Sequence, residues 1–224
     1  METRRKFIKK LVGFCTFIGL LLNPFFVGIR SGMTKAKKII LPKGTKRESL
    51  IGKNPSDLDA RNLDLTPLED FGTMGLSDHE VDLGAWRLET SGHLKNPLRL
   101  TYKDITRLPS IEREVLQICP GFFANHGRWK GISIGELLKK AEVKDGVTHV
   151  TLKGPRGRNE NLQRFPIGDI LSNKVFLAYQ VNGQILPQKH GFPLRTVAEG
   201  YYGYDWIKYV DQIIAEKIEE KSKD

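Results

Sequence analysis

The chain has 224 residues, a hydrophobic content of 39 % and a formal net charge of +10 at pH 7. The basic excess lies at the amino terminus, because residues 1–38 hold nine of the 36 lysines and arginines but one of the 26 acidic residues. The remaining body, with 27 basic and 25 acidic residues, is close to neutral. Proteins that bind nucleic acid normally carry a basic surface on the folded part, so we expect no nucleic-acid partner.

The first thirty residues predict export from the cytoplasm. The sequence TRRKFIK at positions 3–9 precedes an apolar run from Leu11 to Ile29, and this arrangement resembles a signal for the twin-arginine export machinery. An ordinary secretory signal or a basic-flanked membrane anchor is the alternative, although neither needs the Phe-Ile-Lys after the arginine pair. No small-residue cleavage site follows the run, whose length approaches that of a membrane span. We therefore predict a periplasmic or otherwise extracytoplasmic protein. Its residues 1–30 are either a twin-arginine signal or an uncleaved anchor in the inner membrane.

The rest of the chain predicts one folded domain. Residues 31–82 carry turn-forming residues and little periodicity, which indicates a linker and an arm that wraps over the core. Short strand and helix patterns fill residues 83–214, and residues 215–224 form a polar tail. The predicted strands are 86–90, 97–101, 112–119, 147–152, 175–181, 184–186, 192–197 and 207–214, and the predicted helices are 102–108, 137–141 and 165–171. This irregular order favours a single α+β domain with a mixed sheet over a doubly wound nucleotide fold.

The body contains a single cysteine. Cys15 lies in the export segment, which leaves Cys119 without a partner for an internal disulfide. A lone thiol in an oxidising compartment is notable, and two interpretations are open: an inert buried side chain or a thiolate bound to a metal. Cys119 ends a predicted strand, and residues 120–131 read as a glycine-rich loop with cationic and hydrogen-bonding side chains.

A second segment is more specific. Residues 182–208 contain the patterns N-G-x-x-L-P, H-G-x-P-L-R and G-Y-x-G, followed by a lysine. Together with the Cys119 segment, they resemble the molybdopterin-binding domain of the sulfite-oxidase type, over roughly residues 83–214. That group includes periplasmic methionine sulfoxide reductases that use the twin-arginine route. The resemblance implies Mo-molybdopterin as cofactor and Cys119 as the protein ligand to molybdenum, for which a deprotonated thiol is a suitable soft donor.

The resemblance also implies a set of cofactor-binding residues in the second segment. It assigns phosphate or pterin contacts to His190, Arg195 and Lys208, with help from the backbone of Trp206 and Ile207. An arginine fork and a lysine point charge are suited to a phosphate. Plainer interpretations exist: a turn residue for His190, a solvated edge charge for Arg195 and an ordinary surface side chain for Lys208.

Asn125, His126 and Arg128 follow the ligand cysteine closely and are predicted as catalytic residues, with Cys119, on the open side of the metal. A cation at Arg128 would suit an oxyanion such as sulfite or would polarise an S=O group. The alternative is that Arg128 pairs with a nearby acidic residue.

The implied activity is the transfer of an oxygen atom to or from a small substrate, either a sulfite-like oxyanion or a sulfoxide. We expect a catalytic unit without its own haem domain, so electrons would pass to or from a separate membrane haem protein or cytochrome c. The alternative is an exported binding or assembly module of the same fold. The combination of Cys119 with Arg195 favours the enzyme, since a pure binding module needs neither.

Overall fold

The structure, a computed structural model, describes residues 37–155 and 161–218. The export segment, residues 1–30, lies outside these ranges, and with it the twin-arginine and anchor predictions. Within the two ranges, no helix has the length and apolar character needed to cross a membrane.

The domain is built from two five-stranded sheets and a short two-stranded sheet. The described strands are β1 Ile39–Ile40, β2 Leu58–Asp59, β3 Leu88–Gly92, β4 Arg99–Leu100, β5 Ser110–Cys119, β6 Phe123–Ile132, β7 His149–Lys153, β8 Leu162–Pro166, β9 Val175–Val181, β10 Gln184–Ile185, β11 Arg195–Ala198 and β12 Gln212–Glu216. The described α-helices are α1 Tyr102–Thr106, α2 Ile134–Lys140 and α3 Ile167–Leu171.

The two five-stranded sheets differ in strand direction. The first has the order β10-β9-β6-β5 with β11 also paired to β9, and every pairing in it is antiparallel. The second has the order β4-β3-β12-β7-β8, where β12 pairs in parallel with β3 and antiparallel with β7. The strands β1 and β2 form a separate parallel pair. One antiparallel and one mixed sheet with few short helices confirm the predicted α+β class.

Local sequence explains several of these elements. The apolar run of β9 is almost wholly buried and coincides with the predicted strand 175–181. Asn182 and Gly183 then take positive φ angles of 50° and 79°, which a tight hairpin turn into β10 requires. Ser133 caps the amino terminus of α2. Its Oγ accepts a hydrogen bond from the backbone N–H of Glu136 at 3.2 Å and so pairs a donor that would otherwise have no partner within the helix.

The predicted glycine-rich loop after Cys119 is wrong. The chain turns within residues 120–122 and returns as β6, which pairs with β5 from Cys119↔Phe123 to Ser110↔Ile132. The glycines of β6 serve close packing. A Cβ on Gly131 would lie 1.8 Å from the carbonyl oxygen of Leu177 in β9, so the strands approach each other only because no side chain is present.

The arm packs against the sheet that carries Cys119. Its leucines join a small apolar cluster with side chains of β5 and β6, and Phe71 enters the main core. The cluster consists of Leu41, Leu50, Leu58, Leu63, Leu116, Ile118 and Ala124. This packing brings residues 72–76 beside the end of β5. Toward the carboxyl terminus of the chain, β12 extends to Glu216 and so includes the first two residues of the predicted tail 215–224.

Candidate active site

A cavity of about 380 Å³ opens at the carboxyl end of β5. Arm residues 72–76 form part of its wall, and the residues around Cys119 and the 203–209 segment form other parts. Arg195 on β11 also lines it. The volume lies in the range of small-molecule and cofactor pockets, which is about 300–1,000 Å³. Segments that are distant in sequence therefore meet at one concave site.

Cys119 supplies the only thiol in the described ranges. Its side chain is 8 % exposed, and its Sγ lies 3.4 Å from the Sδ of Met74. The backbone of Gly203 also lies close, because a Cβ there would be 3.3 Å from the Cβ of Cys119. Burial raises the pKa of the Cys119 thiol, so the thiol is protonated at neutral pH until a metal displaces the proton.

The described residues contain no group of three His, Cys, Asp or Glu side chains that could hold a metal ion. A metal at Cys119 would therefore lack a full set of ligands from described His, Cys, Asp and Glu side chains and would need further donors from a cofactor. This donor set fits a metal that arrives already bound by a sulfur-rich organic group, and it does not fit a metal ion held by protein side chains alone.

Arg195 is a buried cation, and no anionic partner for it lies within residues 37–155 and 161–218. It is 4 % exposed, and its guanidinium lies over the rings of Trp129 and Trp206, at 5.0 and 5.6 Å from their centroids. Nη1 donates to the carbonyl oxygen of His190 at 3.0 Å, while Nε has no hydrogen-bond partner. Burial lowers the pKa of Arg195 to about 10, so the side chain is charged at pH 7.

Lys208 adds a second positive charge next to it. Lys208 pairs with Arg195 across an antiparallel β-bridge, and its Nζ donates to Thr73 Oγ1 at 3.1 Å and to the Lys189 carbonyl at 3.2 Å. Burial, and secondarily the charge of Arg195, lower the pKa of Lys208 to about 8. The ion pairs found within the described ranges involve neither cation.

Two neighbouring cations in a cavity whose described lining contains no carboxylate indicate an anionic ligand, since an uncompensated buried charge is strongly unfavourable. A phosphate group would supply the missing charge and would accept the free hydrogen bonds of the arginine fork. The residues present therefore fit both ends of a phosphate-bearing metal cofactor, with the thiol for the metal and the cations for the phosphate.

His190 and Ile207 do not line the cavity. His190 is 1 % exposed and lies behind Arg195, with its ring edge-on to Phe71 at 5.8 Å. Burial, followed by the charges of Arg195, Lys189 and Lys208, lowers the pKa of His190 to about 4, so its imidazole is neutral. The carbonyl oxygen of Ile207 accepts from the N–H of Thr196 at 2.8 Å. Of the predicted cofactor-binding set, the structure places Arg195, Trp206 and Lys208 on the cavity wall.

The prediction that His126 and Arg128 line the open side of the thiol is wrong. Both lie on β6, where successive side chains point to opposite faces of the sheet. Phe123 pairs with Cys119, and positions 126 and 128 alternate with position 123, so their side chains point to the other face. The guanidinium of Arg128 is half-exposed and binds Glu114 through Nε at 3.1 Å and Nη2 at 2.8 Å. His126 is fully buried and lines a different cavity, of about 300 Å³. The alternative interpretation, that Arg128 pairs with an acidic residue, matches this geometry.

Asn125 lies close to the site but holds the arm and does not line the cavity. Its Oδ1 accepts from the backbone N–H of Gly72 at 3.0 Å, and its Nδ2 donates to the Gly72 carbonyl at 2.9 Å. These two bonds fix the arm where it enters the cavity wall. Asn125 is thus placed as a positioning residue for the segment that follows.

Sequence reasoning assigned no contacts to residues 72–76, which form one side of the cavity. Gly72 lies against the ring of Phe123, where an added Cβ would be 2.3 Å from the nearest ring atom. The hydroxyl of Tyr209 donates to the Leu76 carbonyl at 3.2 Å. The available signal was the pair of glycines around Thr73 and Met74, since glycines often mark places where the backbone approaches another group closely.

Comparison with known proteins identifies the class. The family model for the oxidoreductase molybdopterin binding domain matches residues 75–223. The uncharacterized oxidoreductase YuiH of Bacillus subtilis is 30 % identical over 130 residues, which is 58 % of this chain and 64 % of YuiH. The protein-methionine-sulfoxide reductase catalytic subunit MsrP of Gluconobacter oxydans is 29 % identical over 143 residues, 57 % of this chain and 46 % of MsrP. The chain thus spans less than two thirds of either relative.

A solved structure supports the fold. The sulfane dehydrogenase SoxCD of Paracoccus pantotrophus superposes with a TM-score of 0.59 at 22 % identity, over 66 % of this chain and 45 % of that chain. The family match defines a cofactor-binding oxidoreductase domain, and the fold agrees with it. The chain belongs to the molybdopterin-binding oxidoreductase family of the sulfite-oxidase type. Its predicted class, a molybdenum-dependent oxidoreductase with Mo-molybdopterin, is confirmed.

Proposed function

We propose that this protein is an extracytoplasmic enzyme that transfers an oxygen atom to or from a small substrate and exchanges electrons with a separate haem protein or cytochrome. One observation carries the proposal: the only described thiol, Cys119, shares a cavity with two cations, Arg195 and Lys208, that have no anionic partner among the residues that the structure describes. The sequence TRRKFIK before an apolar run supports export, and the name of the relative MsrP supports sulfoxide chemistry.

Each residue has a definite part in this proposal. When bound, the cofactor supplies a molybdenum centre that changes oxidation state, and the protein supplies ligation, orientation and charge. Cys119 would ligate the metal as its thiolate. Arg195 and Lys208 would hold the phosphate, and Asn125 would keep the arm against the cavity through its two bonds to Gly72.

Arg128 does not separate the two substrate classes. A cation at the open side of the metal was expected either to suit a sulfite-like oxyanion or to polarise an S=O group, and Arg128 instead binds Glu114 on the surface. The name of the relative MsrP supports sulfoxide reduction, and we therefore place it ahead of sulfite oxidation.

The proposal is tested on protein purified from a molybdenum-replete host, by elemental analysis and by two dye-linked assays. A reduced dye donates electrons to sulfoxides, and an oxidised dye accepts electrons from sulfite. Cys119→Ser should lose activity and molybdenum with the fold intact, whereas the control Arg128→Ala should keep both. Absence of molybdenum from the wild type, or full turnover by Cys119→Ser, contradicts the assignment. Cell fractionation and reduction of a cytochrome c test location and partner.

A further inference from the structure

We propose that Met74 is a specificity-determining residue: it covers the Cys119 thiol on the substrate side and favours neutral substrates over oxyanions. The inference rests on the proposed function and names the part of the chain that selects the substrate. It follows from the position of Met74, from the way in which the arm is held, and from the distribution of charge in the cavity.

The side chain of Met74 lies against the Cys119 thiol. The Sδ of Met74 lies 3.4 Å from the Sγ of Cys119, which is van der Waals contact between two sulfur atoms. Met74 is 44 % exposed, while Cys119 is 8 % exposed. A side chain that contacts the thiol and also reaches solvent covers the thiol on that side. A substrate that approaches from there meets the thioether first.

The backbone around Met74 is held on both sides. Hydrogen bonds to four residues of the domain body fasten the arm, before and after this residue. The side chain of Met74 itself has no polar tie to a described residue beyond the sulfur contact with Cys119. A methionine has three rotatable side-chain bonds and adapts its shape to a neighbour, so the thioether can yield to a substrate while the arm stays fixed. The ties are Gly72 to Asn125, Thr73 to Lys208, Thr73 to Lys189, and Leu76 to Tyr209.

The described cavity lining beside the Cys119 thiol carries no charged side chain. Among the described lining residues, the cations are Arg195 and Lys208, and the ammonium of Lys208 is already bonded to Thr73 and Lys189. The described lining residues that accompany Cys119 on β5 and β6 are Gln117 and Phe123, and both are uncharged. An oxyanion beside a thioether and an aromatic ring would lose hydration without gaining a counter-charge. A neutral sulfoxide with apolar substituents would keep favourable contacts there.

The test compares Met74→Ala and Met74→Arg with the volume-matched control Met74→Leu. The first readout uses cofactor-free protein and measures alkylation of Cys119 by neutral iodoacetamide and anionic iodoacetate, followed by mass spectrometry. Met74→Ala should react about tenfold faster with both reagents because the cover is gone, and Met74→Leu should match the wild type. Met74→Arg should favour iodoacetate over iodoacetamide relative to the wild type.

The second readout is kcat/KM of molybdenum-loaded protein for a small dialkyl sulfoxide and for sulfite. Met74→Arg should shift the ratio at least about tenfold toward sulfite at equal molybdenum content, and Met74→Leu should leave it unchanged. An unshifted ratio in Met74→Arg, or wild-type alkylation rates in Met74→Ala, overturns the role of Met74 while the proposed function stands. Loaded wild type that turns over neither substrate overturns the proposed function itself.

Discussion

Substitution of Arg195 by methionine should change the retention of the cofactor strongly and the unfolding free energy of the cofactor-free protein only slightly. In cofactor-free protein, burial lowers the pKa of Arg195 from 12.5 to about 10. At about 1.36 kcal/mol per pKa unit, keeping this side chain charged costs about 3 kcal/mol of folding free energy. Arg195→Met removes that cost and loses the stacking on two tryptophans, about 1 kcal/mol, and one charged hydrogen bond, about 1.5 kcal/mol.

These terms nearly cancel. We expect the unfolding free energy of cofactor-free Arg195→Met to lie within about 1 kcal/mol of the wild type, whereas truncation of a well-packed buried side chain costs about 2–5 kcal/mol. Replacement of buried charges by apolar groups of similar volume has this outcome in other proteins. Retention of molybdenum should fall at least about tenfold, because charge-assisted hydrogen bonds contribute about 1.5–3 kcal/mol each.

The assays are urea unfolding of cofactor-free protein, followed by tryptophan fluorescence, and molybdenum content after gel filtration. Arg195→Lys is the control that keeps the charge and loses the planar fork, and it should weaken cofactor retention without relieving the cost of the buried charge. Arg128→Met, at an exposed arginine on β6, controls for the loss of a positive charge elsewhere. The reasoning is refuted if Arg195→Met loses more than about 3 kcal/mol of stability or keeps its molybdenum.

Three further predictions concern the residues that frame the cavity. Asn125→Ala removes both bonds to Gly72 and should lower the unfolding free energy by about 2 kcal/mol, with faster proteolysis at residues 72–76; cleavage at the wild-type rate would contradict its positioning role. Because the pKa of His190 is lowered to about 4, its contribution to stability is complete above pH 6.5 and is lost as the pH falls toward 4. The wild type should therefore lose up to about 3 kcal/mol more than His190→Phe in urea unfolding between pH 7 and pH 4, and equal losses would be the contrary result. Gly72→Ala should cost about 1–3 kcal/mol through its clash with Phe123; a Phe123→Leu background should relieve this cost, and additive losses would exclude the clash.

Elements with strong local signals could be predicted from the sequence. The strand β9 has a continuous apolar run that ends at Asn182-Gly183, and both its limits agree with the structure. The strand β6 could not be predicted, because its sequence FANHGRWKGI contains two glycines and several polar residues that favour a loop locally. Its strand conformation comes from pairing with β5 on one side and β9 on the other. Tertiary pairing of this kind overrides local propensity.

The contrast between local sequence signals and tertiary strand pairing also explains which site residues could be predicted from the sequence. Cys119, Arg195 and Lys208 lie in patterns that resemble a known domain, and the cavity contains all three. Their neighbours at positions 125–128 could not be placed without the register of β6, since alternate residues of a strand face opposite sides. Met74 lies far from Cys119 in sequence and belongs to an arm without periodicity, so only the folded chain reveals their contact.

The thiol end and the cationic end of the cavity each suit a different chemical group of a ligand. Burial raises the pKa of the Cys119 thiol, and binding of a soft metal would displace its proton. A bare metal ion, however, would add positive charge to a cavity whose described lining contains Arg195 and Lys208 but no carboxylate. A phosphate compound without a metal would satisfy these cations and leave the thiol protonated. A metal carried by an anionic, phosphate-bearing group would satisfy both ends at once, so we expect the cavity to bind the complete cofactor more tightly than either of its parts.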